Sequence, residues 1–158
     1  MALSGFSKNL RWADFREVEN PPSDDQHHIA KIKARFSAGF RTNRRGRIIG
    51  NVSIQSSRSE SWVVSGRKSA ALLKHEQGHY DITAIGARDL LRNIENSSSL
   101  TQRRLNQMIG DIQTAINEYN RKYDRLTNHG LNSGPQRHWN TTIHNIKNNT
   151  SGTIQGLP

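Results

Sequence analysis

Two histidines four residues apart bracket a glutamate in the run Leu72-Leu73-Lys74-His75-Glu76-Gln77-Gly78-His79-Tyr80-Asp81-Ile82. Residues four apart lie on one helix face, so both imidazoles can reach one metal ion. Glu76 directly follows the first histidine, where its carboxylate can reach a water on that metal. Two neutral nitrogen ligands beside a base suit a catalytic Zn²⁺ with an open coordination position. The chemistry expected is metal-assisted hydrolysis, with Glu76 activating a zinc-bound water. The competing reading is a polar helix carrying two stray histidines. Against it, Ala70, Ala71, Leu72 and Leu73 lead into the motif and Ile82, Ile85, Leu90 and Leu91 follow. His75 and His79 share their face with Leu72, Ile82 and Gly86, so they point toward the core, where imidazoles need partners.

A hydrolytic zinc takes three protein ligands and one water. His129 stands first for the third position, as a good nitrogen donor at the expected end of a second helix. A histidine beside Gly130 can instead simply complement the helix dipole. Asp124 follows, as a ligand or as an acceptor behind the ligands. Glu118 is the option by analogy with glutamate-liganded zincins, but it lies off the apolar stripe of its helix. Asp81 comes two residues after His79, cannot share the histidine face, and is expected to hold a supporting hydrogen bond. His27, His28, His138 and His144 read as solvated side chains, and Tyr80 and Tyr123 as packing residues rather than oxyanion donors.

Several elements must position these groups. After a short aromatic opening, Leu10 to Phe15, and a loop at Asn20 to Asp25, the chain alternates: Ala30, Ile32, Ala34, Phe36, Ala38 and Phe40 fall on one side. Ile48, Gly50, Val52 and Ile54 alternate again beyond the basic turn Arg41 to Arg47, which predicts an antiparallel hairpin. A third strand is expected at Ser61 to Val64, with Trp62 on a sheet edge that binds substrate by strand addition. The motif helix is expected from about Ser69 to Asn93. A second helix follows, opened by a Ser99–Gln102 capping box and carrying the stripe Leu105, Ile109, Ile112, Ile116, Tyr119, Tyr123 and Leu126. The fold class is α+β: a small antiparallel sheet followed by two long antiparallel helices, the general plan of zincin-like metalloproteases. One domain is expected over residues 1–144, with 145–158 as a loose polar tail.

The chain has 158 residues, no cysteine and a net charge of +10. Disulfides, thiolate zinc sites and a cysteine nucleophile are therefore excluded. No run of 18 or more apolar residues occurs, so no transmembrane helix is expected. The positive charge suits solubility or contact with an anionic polymer. The leading reading is a peptide-bond hydrolase acting on a peptide or protein substrate. The alternative is a non-catalytic basic module that binds a polyanion and carries a structural or degenerate zinc site. A dimer through the Leu105–Leu126 stripe is a third reading, with a monomer preferred.

The chain resembles an uncharacterised bacterial family described as predicted secreted zinc-dependent proteases. The residues that carry the likeness are Leu10-x-Trp12-x-Asp14-Phe15, then Leu73 to Ile82 with Ala87-Arg88, then Tyr123-Asp124-x-x-Thr127-x-His129-Gly130, followed by Gln136 and Trp139. The resemblance implies a zincin-like peptidase, points to the His129 segment for the third ligand, and implies a secreted or periplasmic location. The stretch Met1 to Lys8 has no hydrophobic signal segment, which suits a cytoplasmic protein, a mature form or an excised domain.

Overall fold

A computed structural model of the chain describes residues 2–158, and Met1, the first residue of the expected domain, lies outside them. In chain order the strands are β1 (Ala2–Ser4), β2 (Arg16–Val18), β3 (Ala30–Lys31), β4 (Ala34–Thr42), β5 (Ile48–Ser56) and β6 (Trp62–Val64). They are followed by the helices α1 (Ala70–Glu95), α2 (Gln102–Thr127) and α3 (Ser133–Asn148). The fold class is α+β, with two small mixed sheets and three helices rather than one antiparallel sheet and two helices.

Alternation builds the hairpin as the sequence predicts. β4 and β5 pair antiparallel from Ala34↔Ser56 to Thr42↔Ile48, and β1 joins β5 in parallel. Ile48, Val52 and Ile54 turn inward against α1. At Gly50 the backbone comes close to the helix: a Cβ there would stand 2.7 Å from Leu91 Cδ1, so a side chain would have to displace the Leu91 terminus.

The expected continuous strand from Ala30 breaks at Ile32 and Lys33. Their N–H groups leave the ladder and donate to Glu76 Oε2 (2.8 Å) and Ser61 Oγ (2.9 Å). β3 thereby belongs to a second sheet of order β2-β6-β3. This corrects the placement of Trp62. It lies on the middle strand, paired on both sides and 3% exposed, so it offers no free edge to a substrate. The edge beside the motif helix is β3.

α1 begins where Ser69 accepts a hydrogen bond from Leu72 N–H at 3.0 Å, in the expected place. From Tyr80 to Leu91 it is buried on every side, because sheets, α2 and α3 surround it. α2 is capped by Thr101 rather than Ser99. Its stripe residues Leu105, Ile112, Ile116 and Tyr123 are buried, while Leu126 is 39% exposed. Gly86 faces Ile116 and Gly78 faces Tyr123, so α1 and α2 run antiparallel.

The C-terminal segment is not a loose tail. α3 carries Trp139, Ile143 and Ile146 into the core, and the chain then returns over α1 and buries Ile154 completely. Arg88 donates to the carbonyls of Ile146, Lys147 and Gly152, and Asp89 Oδ2 accepts from Ile154 N–H at 2.7 Å. The polar composition that reads as a tail supplies backbone carbonyls to buried arginines. Ile154→Ala should destabilise the fold by about 2–5 kcal/mol in urea denaturation; a change of less than about 0.5 kcal/mol would return this segment to the status of a tail.

Candidate metal centre

His75 and His79 project from one face of α1 toward α2, as their spacing predicts. Each has its Nδ1 engaged by an amide oxygen. Gln136 donates through Nε2 to the Tyr123 hydroxyl (2.6 Å) and to Asn140 (2.9 Å), so its Oε1, 2.9 Å from His75 Nδ1, is an acceptor. Asn120 donates through Nδ2 to Ile116 O at 3.0 Å, so its Oδ1 accepts from His79 Nδ1–H at 2.6 Å. With both Nδ1 atoms acting as donors, the neutral rings present lone pairs on Nε2.

The two Nε2 atoms lie 3.2 Å apart, and Asp124 Oδ1 completes a triangle at 3.1 Å from His75 and 2.9 Å from His79. Two lone pairs and a carboxylate oxygen facing one point repel unless a cation sits there. Zinc–ligand bonds of about 2.0–2.2 Å in a tetrahedron separate ligand atoms by roughly 3.3–3.6 Å, a few tenths of an ångström wider than these edges. The residues therefore fit a divalent ion. In the metal-free protein a proton takes its place. Burial alone would lower the His79 pKa, but Asp124 and the charge of Glu76 outweigh it and raise the value to about 9. Burial likewise opposes ionisation of Asp124, and the imidazoles of His28, His75 and His79 around it overcome this, holding its carboxyl well below the usual range.

The helix packing sets this triangle. Gly78 leaves room for Tyr123: a Cβ there would stand 2.3 Å from the Tyr123 hydroxyl. The tyrosine ring stacks on His75 at 4.7 Å and 16°, and its hydroxyl donates to His75 O at 3.1 Å. Asp124, next along α2, then stands level with both imidazoles. The Gln77-Gly78 pair inside the motif is thus structural: Gln77 binds Leu10 N–H and Lys8 O, fixing the N-terminal segment to α1.

Glu76 is 2% exposed. Its Oε2 is held by Ile32 N–H, and its side chain lines two clefts that meet at the site, one with Lys31, Lys33 and Asn120, the other with Leu72, His129 and Leu131. His129 sits after α2 in a left-handed run: Asn128, His129 and Gly130 have φ of 48°, 53° and 86°. Gly130 packs against the His75 ring, where a Cβ would lie 3.0 Å from Cγ. His129 Nδ1 is buried, makes no hydrogen bond, and stands 3.4 Å from Asp124 Oδ1.

The remaining predicted residues lie elsewhere. Asp81 accepts from Gln77 Nε2 (2.9 Å) and Lys147 Nζ (2.6 Å), on the side of α1 away from Asp124. Glu118 is exposed on α2, which removes it from the ligand set. Tyr80 donates to Gly5 O at 2.8 Å, and burial pushes its hydroxyl pKa up to about 12.

Residues 16–130 match a family model described as "Bacterial protein of unknown function (DUF922)". The chain belongs to this family. No curated protein and no solved structure matches it. The family segment contains His75, Glu76, His79, Asp124 and His129, while Gln136, which orients His75, falls just beyond it. Sequence reasoning gave no role to Asn120, although Ile116, Asn120 and Asp124 follow each other by four on α2, the spacing that exposed the histidine pair. No such signal marks the Ile32 N–H, because a main-chain donor carries no side-chain identity.

The His79 shift fixes a pH dependence for the metal-free protein. The folded value of about 9 exceeds the 6.5 of a free imidazole. The extra stability is therefore complete below about pH 6.5 and is lost as pH rises through 9, a span worth on the order of 3 kcal/mol. Urea denaturation of the metal-free protein at pH 6 and pH 9.5 should show this fall, and His79→Gln should flatten it.

Proposed function

We propose that this chain is a zinc-dependent peptidase. The observation that carries the reading is the convergence of His75 Nε2, His79 Nε2 and Asp124 Oδ1, with both histidine Nδ1 atoms already donating to amide oxygens. His75, His79 and Asp124 would hold Zn²⁺, which when bound supplies Lewis-acid polarisation of a carbonyl and a lowered pKa for water.

The chain's own groups carry the rest. Ile32 N–H fixes one oxygen of Glu76, which leaves the other to take a proton from the attacking water and pass it to the leaving amine. Gln136 and Asn120 hold the imidazoles in the tautomer that presents Nε2. The edge of β3 and the following residues, Ala30 to Ala34, border the cleft beside Glu76 and His79, which supports an extended peptide lying alongside them. Lys33, exposed at that edge, favours an acidic side chain there.

Glu76→Gln should keep zinc and fold while losing activity by a factor of at least about 100 on a generic peptide substrate. His75→Ala and Asp124→Asn should each lose metal, read as zinc per chain by elemental analysis. Full activity in the Glu76 variant would remove that residue from the reaction, and unchanged zinc content in the other two would move the metal elsewhere.

A further inference from the structure

Asp124 also lies against a second pair of imidazoles: His129 Nδ1 is 3.4 Å from its Oδ1. His28 Nε2 lies 3.7 Å from Asp124 Oδ2. His129 stands across from His28, ring centroids 4.4 Å apart and nearly perpendicular. The donor atoms of His28, Asp124 and His129 all lie within 4.8 Å of one another. We propose that Asp124 bridges two divalent cations, one held with His75 and His79 and a second held with His28 Nε2 and His129 Nδ1.

Three features support the second position. First, His28 is oriented as His75 and His79 are. Its Nδ1 hydrogen-bonds Asp25 Oδ1, and Asp25 is in turn held by Lys31 Nζ at 2.5 Å, so Nε2 presents its lone pair toward Asp124. Second, His129 Nδ1 is a buried polar atom without a hydrogen bond, and a ligand bond would satisfy it. Third, the backbone pays for its placement: His129 follows Asn128 in the left-handed region, a conformation that non-glycine residues rarely adopt and that collects at functional sites. Charge agrees as well. Asp25, Glu76 and Asp124 place three carboxylates around the two positions.

A carboxylate bridge of this kind is the common device of two-metal hydrolytic sites, where the pair of ions clamps both attacking and leaving oxygens. His129 then belongs to the second ion, while Asp124 serves both. The inference rests on the peptidase reading only through the first ion.

Equilibrium dialysis of the metal-free protein against Zn²⁺, followed by elemental analysis, tests it. Wild type should bind two ions per chain. His28→Gln and His129→Ala should each bind one, His79→Ala at most one, and His144→Ala, a control on an exposed histidine, two; circular dichroism checks that each is folded. One ion in wild type and one in both His28→Gln and His129→Ala would overturn the bridge and leave the first site intact. No ion in wild type would overturn both. A single ion lost in His28→Gln but kept in His79→Ala would also overturn the bridge, and would take the metal from the H-E-x-x-H pair.

Discussion

The close approach of α1 and α2 at Gly78 is the constraint on which the site depends. Without a side chain at that position, the Tyr123 ring can slide beneath His75, and the residue after it arrives opposite both imidazoles. A methyl group there would push the helices apart by more than the tolerance of a metal–ligand bond, which is about 0.2 Å. The same logic recurs along the pair. Gly86 admits Ile116, with a would-be Cβ only 2.6 Å from its side chain. Small residues on α1 therefore set the helix spacing that brings Asp124 of α2 level with the two imidazoles, and apolar packing supplies the rigidity of this polar centre.

Around that contact, neutral and charged partners are divided by position. The imidazoles of α1 are steadied by amides, Gln136 and Asn120, while His28 is steadied by a carboxylate, Asp25. Each arrangement removes the freedom of a ring to flip and names which nitrogen is offered. The hydroxyl of Tyr123 closes the network around His75, accepting from Gln136 and donating to the His75 carbonyl. Among the described residues two buried side-chain nitrogens lack a hydrogen bond, Arg88 Nε and His129 Nδ1, and only the second lies at this centre, which makes it informative.

Much of this was legible in the sequence where a period was involved. The alternation of β4 and β5 and the face shared by His75 and His79 follow from repeats of two and four residues, and α1 starts near Ser69 as expected. Asp124 stood among the candidates behind His129, as a ligand or as an acceptor behind the ligands. The parts that were not legible depend on contacts distant in the chain. Ile32 and Lys33 look like strand residues, yet their N–H groups are claimed by Glu76 and Ser61, and the strand divides between two sheets. Trp62 looks like an edge residue and lies in the middle of a sheet, because β2 and β3 close on it from both sides. The polar C-terminal stretch looks unstructured because its anchors, Arg88 and Arg92, sit some sixty residues earlier.

The hold on Glu76 has one more consequence. Its partner is the main-chain N–H of Ile32, and nineteen of the twenty amino acids would supply that group. Drift in side-chain identity at position 32 thus leaves the carboxylate oriented; proline alone abolishes the donor. The orientation of the carboxylate is thereby insulated from side-chain identity at position 32, while Ala30 and Ile32 stay tied to the core and only Lys31 and Lys33 turn outward.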